Sequence, residues 1–349
     1  MKYIAFTTKG LENIVQKELV NYNCSIIEQS IKTIVFESNT DIGQLVKLKT
    51  IDDLCIYIDE IKDLLKNENA VSIITSRLIN TDFSQIIITL NSFREIKPNN
   101  FSITASVFGT KYNTSILAEK LSKALINRRK WEYTPKSHEN FDIRVSVTKN
   151  HAIIGVRVTE KSLHHRDYKQ YLKKGSLRPT IAAAMVFETN NNKNGLKIVD
   201  NFCGSGTILC EALLAGNKVY GGDIDKESVE FTKKNLMNIK KGDYEIKVQD
   251  AIKTSWTNDF FDCAISNLPW DKQIQVDKLT TLYSKTIVEY KRILKPNAAI
   301  CLLGIKPDFI VSQIKKVFNY KNIQVFKLGY LGQKPYVVIG RVEQYLQIN

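Results

Sequence analysis

The sequence predicts an α/β protein: a doubly wound parallel sheet that closes with an antiparallel hairpin, preceded by an α+β region. Two observations support this prediction. From residue 196 onward, short apolar runs alternate with one-face helical patterns, and such alternation is typical of parallel strands joined by helical crossovers. Before residue 161 the predicted elements are shorter and of mixed type. The 349 residues are enough for about two or three domains.

The second half of the chain contains five apolar runs that predict buried strands. They span Leu196–Phe202, Lys218–Ile224, Tyr244–Val248, Cys263–Ser266 and Ala298–Gly304. Apolar residues recur every three or four positions within residues 229–239 and 279–294, which predicts a helix in each segment. Two further runs flank a turn-like segment and predict the closing hairpin, at Ile323–Leu328 and Tyr336–Val342.

The first 160 residues carry strand and helix patterns in irregular order. Strands are predicted at Lys2–Phe6, Ile31–Phe36, Phe101–Val107, Asp142–Val147 and Ala152–Val158. Helices are predicted at Leu11–Leu19, Leu45–Leu48, Ile61–Leu65 and Thr114–Asn127. Residues 161–177 are rich in charge and show little periodicity, so we interpret them as a linker.

Composition excludes several classes of protein. Hydrophobic residues make up 43% and charged residues 25% of the chain, as in an ordinary globular protein. The longest apolar runs, such as Ile181–Phe187, are too short to span a bilayer, and we expect a cytoplasmic protein with no membrane partner. The six cysteines form no C-x-x-C pair, which disfavours a zinc ribbon, a thioredoxin site or a disulfide framework.

Positive charge is concentrated in the middle of the chain. The formal net charge of +14 divides into −2 for residues 1–100, +10 for 101–180 and +6 for 181–349. Such a field attracts a phosphate backbone, which makes a nucleic acid the first candidate partner. A solubilising basic surface explains the same count equally well, since net charge bears on association and not on fold.

A glycine-rich turn follows the first strand of the predicted parallel sheet. Asp200-Asn201-Phe202-Cys203-Gly204-Ser205-Gly206-Thr207 joins that strand to the next helix. Glycines let the backbone approach a ligand, and the helix N–H groups point toward it. The pattern lacks the Gly-Lys-Ser/Thr of a P-loop, and an acidic residue before a short glycine pair suits a ligand with an ammonium group. The alternative is an ordinary tight turn between strand and helix.

Two more strands of this sheet end in a carboxylate. Asp223 lies roughly 20 residues after the glycines, where a carboxylate can accept hydrogen bonds from ribose hydroxyls. Asp250 ends the third strand, where it could accept a hydrogen bond from an adenine amine. Each Asp could instead cap the next helix. Because ligands of α/β sheets bind at the carboxyl edge, three acidic strand ends there favour a nucleotide-like cofactor.

The fourth strand ends at Asn267-Leu268-Pro269-Trp270. The amide and neighbouring carbonyls can accept from an exocyclic amine, proline stiffens the turn, and the aromatic ring can stack on a base taken out of its helix. A loop with a core tryptophan is the structural alternative.

These motifs resemble those of class I S-adenosylmethionine-dependent methyltransferases that act on exocyclic amines, over about residues 176–349. The stretch Ser162–Met185 is similar to the linker of THUMP-containing RNA guanine-N2 methyltransferases. The resemblance implies a ferredoxin-like domain at residues 1–50, a THUMP-like RNA-binding domain at 51–160, the linker at 161–177 and a Rossmann-like methyltransferase domain at 178–349.

The resemblance also implies roles for individual residues toward S-adenosyl-L-methionine. Asp200 would hold the ammonium group, Gly204 and Gly206 would border the cofactor, Asp223 would bind the ribose and Asp250 the adenine. The full cofactor set would be Asp200, Cys203, Gly204, Gly206, Thr207, Asp223, Ile224, Asp250, Ala251 and Asn267. The catalytic set would be Asn267, Leu268, Pro269 and Trp270.

This chain departs from the family pattern at several positions. The common form of the catalytic motif is Asn/Asp-Pro-Pro-Tyr/Phe; here Leu268 replaces the first proline, Trp270 the usual aromatic residue, and Asp271 a frequent glycine. Arg166-Asp167-Tyr168 stands where Arg-Gly-Tyr is usual. These differences bear on which base and which RNA is used more than on the reaction type.

Several basic residues and one neighbouring tryptophan are the candidates for RNA contact. They are Arg128, Arg129, Lys130, Trp131, Arg166, Lys173 and Lys174. The cations at 128–130 could instead stabilise the end of a helix. Four scattered histidines offer too few ligands for a metal site, so we expect no metal.

The resemblance implies methyl transfer to the N2 amine of a guanosine, and we expect tRNA as the first candidate substrate and a protein that acts as a monomer. Two enzymatic alternatives stay open: the same reaction on rRNA, and methylation of adenine N6. A non-catalytic RNA-binding protein with a vestigial cofactor fold is the alternative of a different class.

Overall fold

The computed structural model describes residues 1–64, 70–109, 113–135, 140–148, 151–191, 193–270, 276–330 and 332–342. The chain forms two compact units. The first contains Met1–Phe6 and Leu19–Leu163, and the second contains Thr7–Glu18 and His164–Asn349. Within the described ranges, none of the helices combines the length and apolar character needed to cross a bilayer.

The first unit is built around an eight-stranded sheet with the order β2-β3-β1-β4-β8-β7-β5-β6. Its strands are β1 Lys2–Phe6, β2 Ser25–Ser30, β3 Thr33–Glu37, β4 Asp53–Lys62, β5 Lys97–Val107, β6 Glu132–Tyr133, β7 Asn140–Val147 and β8 His151–Arg157. The helices of this part of the chain are α1 Glu12–Asn21, α2 Ile42–Leu45, α3 Ala70–Ile79, α4 Ser84–Asn91 and α5 Thr114–Arg129. Residues 12–18 of α1 group with the second unit.

The second unit carries a seven-stranded sheet with the order β11-β10-β9-β12-β13-β15-β14. Its strands are β9 Lys197–Asp200, β10 Lys218–Asp223, β11 Tyr244–Val248, β12 Phe261–Asn267, β13 Leu294–Gly304, β14 Asn322–Lys327 and β15 Tyr336–Arg341. The helices are α6 Pro179–Asn190, α7 Thr207–Leu214, α8 Lys226–Met237, α9 Val276–Ile293 and α10 Pro307–Phe318.

The pairing of these strands confirms the predicted doubly wound sheet. Strands β9 to β13 run parallel, while β15 pairs antiparallel with both β13 and β14 to form the closing hairpin. One central packing group on β12, α9, β13 and α10 includes the fully buried Tyr283, Tyr290 and Phe261. These strands place their carboxyl ends along one edge, which is where the predicted ligand residues occur.

Several elements differ from the sequence prediction. Ile61 was expected in a helix but lies in strand β4, and Leu65 lies outside the described residues. Helix α6 was not predicted because nearly all of its side chains are buried, so it shows no amphipathic periodicity. Helix α10 was also missed, although Ile310, Ile314 and Phe318 give it a regular apolar face.

The predicted division of the N-terminal region at residue 50 stays a prediction. Strands from both sides of that position join the same sheet, since β1 pairs with β3 and with β4 in antiparallel registers. These strands belong to one compact unit.

The segment that we interpreted as a linker makes buried contacts inside the second unit. The Arg166 Nε donates to Glu211 Oε1 at 2.9 Å, and the Tyr168 hydroxyl donates to the same oxygen at 2.7 Å. The Glu211 side chain is only 1% exposed. The Asn235 amide binds the backbone of residues 170 and 171 and also donates to the Ser205 carbonyl at 2.8 Å. From His164 onward, this segment is therefore an integral part of the second unit.

We expect Glu211→Gln to lower the free energy of unfolding by about 3 kcal/mol, because it removes the negative charge from a buried ion pair. Chemical denaturation of the purified protein measures this change. Glu230→Gln is the matched control: its pair with Lys233 is solvent-exposed, with an N···O distance of 3.8 Å, so the loss should stay below about 0.5 kcal/mol. Equal stability of the two variants would contradict the structural role of Glu211.

Candidate functional site

The predicted ligand residues occupy the carboxyl ends of adjacent parallel strands. Asp200 ends β9, Asn267 ends β12, Asp223 ends β10, and Asp250 follows β11. Because β12 and β10 are the two neighbours of β9 in the sheet, Asp200 lies between Asn267 and Asp223 along this edge. The sheet therefore brings together residues that are far apart in the sequence.

The glycine-rich turn is fixed by contacts to β10 and α8. Gly204 N donates to Asp223 Oδ2 at 2.9 Å, and the Thr232 hydroxyl donates to the Gly204 carbonyl at 2.8 Å. Gly204 and Gly206 have φ angles of +53° and +81°. A Cβ atom on Gly206 would lie 2.9 Å from the Thr232 methyl group, whereas a Cβ on Gly204 would meet only the Phe202 carbonyl at 4.0 Å. Gly206 is thus needed for packing, and Gly204 borders open space.

A cavity connects this turn with the end of β12. Its lining consists of Lys173, Lys174, Gly175, Ser176, Leu177, Asp200, Phe202, Cys203, Gly204, Ser205, Thr207, Ile208 and Asn267. Five of the predicted cofactor residues are in this set: Asp200, Cys203, Gly204, Thr207 and Asn267. The other predicted cofactor residues, which are Gly206, Asp223, Ile224, Asp250 and Ala251, lie outside this lining.

Asp200 is almost completely buried, with 1% exposure. Its Oδ1 accepts hydrogen bonds from Ser266 Oγ at 2.5 Å and from the Phe202 N–H at 3.0 Å. Burial raises the pKa of Asp200 to about 7, against the lowering effect of these two hydrogen bonds, and the nearby Asp223 carboxylate raises it further. The side chain can therefore change its charge near neutral pH, and a cation in the cavity would favour its ionised form.

Polar contacts join the end of β10 to residues of the segment 161–177, which we predicted to be a linker. The Lys173 ammonium donates to Asp225 and to the Ser228 hydroxyl, and Asp225 caps helix α8 through the Ser228 N–H at 2.9 Å. The hydrogen bond from Lys173 lowers the pKa of Asp225. Ile224, which follows Asp223 in the sequence, has 74% of its surface exposed, so an exposed apolar side chain adjoins Asp223.

Asp250 and Ala251 lie at the far side of this edge. Asp250 is exposed, and its Oδ1 accepts from the Ile252 N–H at 3.1 Å, which is a turn contact. Ala251 is buried. The structure places both residues at the expected strand end, and their cofactor role stays a prediction.

The loop after β12 combines an exposed amide with a buried anchor. Asn267 Oδ1 accepts from Trp270 Nε1 at 2.8 Å, and both side chains are partly exposed. The Pro269 carbonyl accepts from the Tyr283 hydroxyl at 2.8 Å. The Leu268 side chain is fully buried in the core beside α9, so only its backbone could contact a ligand.

The predicted RNA-contact residues of the first unit fall into two groups. Arg128 and Lys130 are exposed at the end of α5. Arg129 instead donates through Nη2 to the carbonyls of Ile79 and Thr81, and its guanidinium lies over the rings of Phe83 and Trp131. Trp131 packs against the rings of Phe83, Phe101 and Phe141. Arg129 and Trp131 thus have structural contacts within the unit, and their role toward RNA stays a prediction.

The predicted RNA contacts of the second unit also separate. Arg166 holds its guanidinium in the buried pair with Glu211, with 9% of its side chain exposed, so it does not present this group at the surface as RNA contact requires. Lys174 is exposed and lines the cavity, and Lys173 lines it from the pair with Asp225.

The sequence analysis missed several polar residues of the site. Ser266 binds the Asp200 carboxylate directly, and Tyr290 binds the Ser266 hydroxyl. Ser176 contacts the Ser205 hydroxyl at 2.8 Å. Tyr290 belongs to an amphipathic helix, where its spacing predicts only a core residue. Ser266 immediately precedes Asn267, but its contact with Asp200 depends on the pairing of two strands that are 66 residues apart.

No cluster of three or more His, Cys, Asp or Glu side chains suited to a metal ion occurs in the part of the chain that the structure describes. The expectation of a metal-independent protein stays a prediction.

Comparison with known proteins finds methyltransferase relatives. Residues 166–332 match the family model described as an RMKL-like methyltransferase domain. A tRNA (guanine(10)-N2)-dimethyltransferase of Pyrococcus abyssi is 31% identical over 182 residues, which cover 50% of this chain and 53% of the relative. A tRNA (guanine(6)-N2)-methyltransferase of Thermus thermophilus is 26% identical over 200 residues, which cover 56% of this chain and 59% of the relative. The chain thus spans a little over half the length of these two relatives.

The fold has a counterpart along the whole chain. The crystal structure of TrmN from Thermus thermophilus covers 98% of this chain and 99% of its own, with a TM-score of 0.75 and 19% sequence identity. This likeness confirms the predicted fold class.

We expect Arg129→Gln to lower the free energy of unfolding by about 1–3 kcal/mol, since it breaks hydrogen bonds and the cation–π contacts with Phe83 and Trp131. Arg128→Gln is the matched control, because that neighbouring arginine is exposed, and it should change stability by less than about 0.5 kcal/mol. Thermal melts of both variants give the comparison. A stable Arg129→Gln protein would show that the side chain is free for another role.

Proposed function

We propose that this protein is a cytoplasmic S-adenosyl-L-methionine-dependent RNA methyltransferase that modifies the N2 amine of a guanosine in tRNA. One observation carries the proposal. A single cavity is lined both by the glycine-rich turn with Asp200 and by Asn267 at the end of β12. A cofactor site and a target-base site therefore open into one another, as group transfer between two bound molecules requires.

The comparisons support this choice of reaction. The methyltransferase-domain match covers the cavity residues, and both relatives described above carry names with guanine N2 as the methylated atom and tRNA as the substrate. We extend the name of those relatives to this chain as a proposal, since the alignments cover only part of their length.

The residues present fit the proposed cofactor. A buried carboxylate at Asp200 suits its ammonium group, and Asp223 with the exposed Ile224 suits a ribose and the face of an adenine. Gly204 adjoins open space in which its missing Cβ leaves room for a ligand. When bound, S-adenosyl-L-methionine supplies an electrophilic methyl group attached to a sulfonium.

The loop after β12 has the groups needed to orient an amine. The guanine N2 lone pair is delocalised into the ring, so the amine is a weak nucleophile. Hydrogen bonds from its N–H groups to the Asn267 amide oxygen and the Leu268 carbonyl would favour a pyramidal nitrogen and fix its direction. Asn267 cannot act as a base at neutral pH, so the proton leaves to water once the nitrogen has acquired the methyl group and become acidic.

The substrate RNA would contact the first unit. We propose that residues 1–50 form a ferredoxin-like part and residues 51–160 a THUMP-like RNA-binding part of the continuous sheet. Support comes from the net charge of +10 over residues 101–180 and from the exposed Arg128 and Lys130. We also propose that the protein acts as a monomer.

Nucleoside analysis tests the identity of the product. Purified protein, labelled cofactor and unmodified tRNA should give N2-methylguanosine, which mass spectrometry distinguishes from N6-methyladenosine. Parallel reactions with rRNA separate the two guanine-N2 alternatives. If calorimetry detects no binding of S-adenosyl-L-methionine, the protein is an RNA-binding protein with a vestigial fold and the proposal is wrong.

We expect Asn267→Ala to reduce the single-turnover rate of methyl transfer by about 100-fold, because it removes an acceptor that positions the amine. The melting temperature should stay near wild type, since the side chain is partly exposed and contributes little to the core. Rates on native tRNA, measured with saturating enzyme, give the result. A folded variant with the wild-type rate would refute this role.

A second prediction concerns RNA affinity. Replacing Arg128 and Lys130 together with Gln should weaken tRNA binding and flatten the log–log salt dependence by about 0.7–0.9 per lost phosphate contact. Lys240→Gln with Lys241→Gln is a control with the same change in charge at exposed positions of the second unit. Filter binding at several salt concentrations would compare them. Equal slopes for both double variants would show that the end of α5 does not contact RNA.

A further inference from the structure

A chain of hydrogen bonds runs through the interior of the second unit and ends at Asp200. The Asn201 N–H donates to the Tyr290 hydroxyl at 3.2 Å, the Tyr290 and Ser266 hydroxyls lie 2.5 Å apart, and Ser266 Oγ is 2.5 Å from Asp200 Oδ1. All four residues are at most 1% exposed. This chain of hydrogen bonds is therefore shielded from solvent, and each of its protons has few alternative acceptors.

The backbone N–H of Asn201 sets the direction of this chain. It can only donate, so it occupies a lone pair of the Tyr290 oxygen and leaves the tyrosine proton free for the Ser266 oxygen. Ser266 then directs its own proton to Asp200. In this direction every proton has an acceptor, and the chain ends at an oxygen that only accepts, which is a carboxylate.

The two hydrogen bonds to Asp200 described above both end at Oδ1. Asp200 also lines the cavity. Among the described residues no hydrogen bond to Oδ2 is found, so this oxygen remains for a ligand. A fixed Oδ1 restricts rotation of the carboxylate and thereby aims Oδ2.

We infer that Ser266 and Tyr290 are positioning residues that hold Asp200 as an oriented carboxylate for the cationic ammonium group of the cofactor. This inference rests on the proposed function, because it takes the ligand to be an amino-acid-bearing nucleoside. Neither residue touches the ligand; both act through Asp200.

The charged and titratable groups around Asp200 determine how the affinity for the cofactor should depend on pH. Burial raises the pKa of Asp200 to about 7, the Ser266 and Phe202 hydrogen bonds lower it, and Asp223 raises it. Cys203 and Tyr290 adjoin it with pKa values that burial raises, so both are neutral here. Lys173 and Lys174 line the same cavity. Since the ammonium requires the ionised carboxylate, affinity is full above the Asp200 pKa and falls as pH decreases through it.

The test measures the affinity of S-adenosylhomocysteine by calorimetry between pH 5.5 and 8.5. Wild-type protein should lose about tenfold or more in affinity across this range toward low pH. Ser266→Ala should move the midpoint upward by about one pH unit, because it removes a hydrogen bond to the charged form. Tyr290→Phe should move it in the same direction by a smaller amount. Ser266→Thr keeps the hydroxyl and should restore the wild-type midpoint.

Two controls separate this role from a general loss of packing. Tyr320→Phe also removes a buried hydroxyl of the same core, one that donates to the Ala298 carbonyl, and should leave the midpoint unchanged. 5′-Methylthioadenosine keeps the nucleoside but has no ammonium group, so its affinity should not follow the Asp200 titration.

The outcomes are distinct. If wild-type protein binds S-adenosylhomocysteine at no pH, the proposed function itself fails. If it binds, but Ser266→Ala and Tyr290→Phe keep the wild-type midpoint, the two residues do not position Asp200. An equal shift in Tyr320→Phe would likewise overturn the inference. Should Ser266→Ala not fold, Tyr290→Phe against Tyr320→Phe decides the question alone.

Discussion

A buried carboxylate at the end of strand β9 imposes the strongest constraint on the second unit. A charge with 1% exposure is costly unless hydrogen bonds replace its lost hydration. The structure provides two directly, from the Phe202 N–H of the turn and from the Ser266 hydroxyl on strand β12, and Tyr290 on helix α9 in turn binds the Ser266 hydroxyl. The order of strands around β9 is therefore tied to Asp200 as well as to the packing of the apolar core.

The segment before the sheet extends this arrangement outward. Asn235 on α8 binds the backbone at residues 170 and 171 and the carbonyl of Ser205, so a single amide joins the segment to the glycine-rich turn. Residues 173–177 consequently form a wall of the cavity. The composition of this segment predicted a linker, but in the fold residues 173–177 are part of the site.

The sequence was sufficient to predict the parallel sheet, its hairpin and the acidic strand ends, because apolar periodicity and turn residues are local properties. It was insufficient to predict the internal contacts of Arg129 and Arg166, which occur in basic stretches typical of RNA contact. Their partners, such as the Ile79 carbonyl and Glu211, lie 45 or more residues away in the sequence. The same limit applies to Ser266, whose role depends on which strand lies beside β12.

The tryptophan of the loop after β12 orients the side chain of Asn267. Phenylalanine has no N–H, whereas the Trp270 indole donates to Asn267 Oδ1 at 2.8 Å. The acceptor proposed for the target amine thus has a partner, and its carboxamide is oriented, before any base arrives. A base that binds there exchanges one N–H donor for another, so the amide oxygen need not pass through an unpaired state. With Leu268 anchored in the core and Tyr283 holding the Pro269 carbonyl, the loop keeps its backbone fixed while this exchange takes place at its polar end.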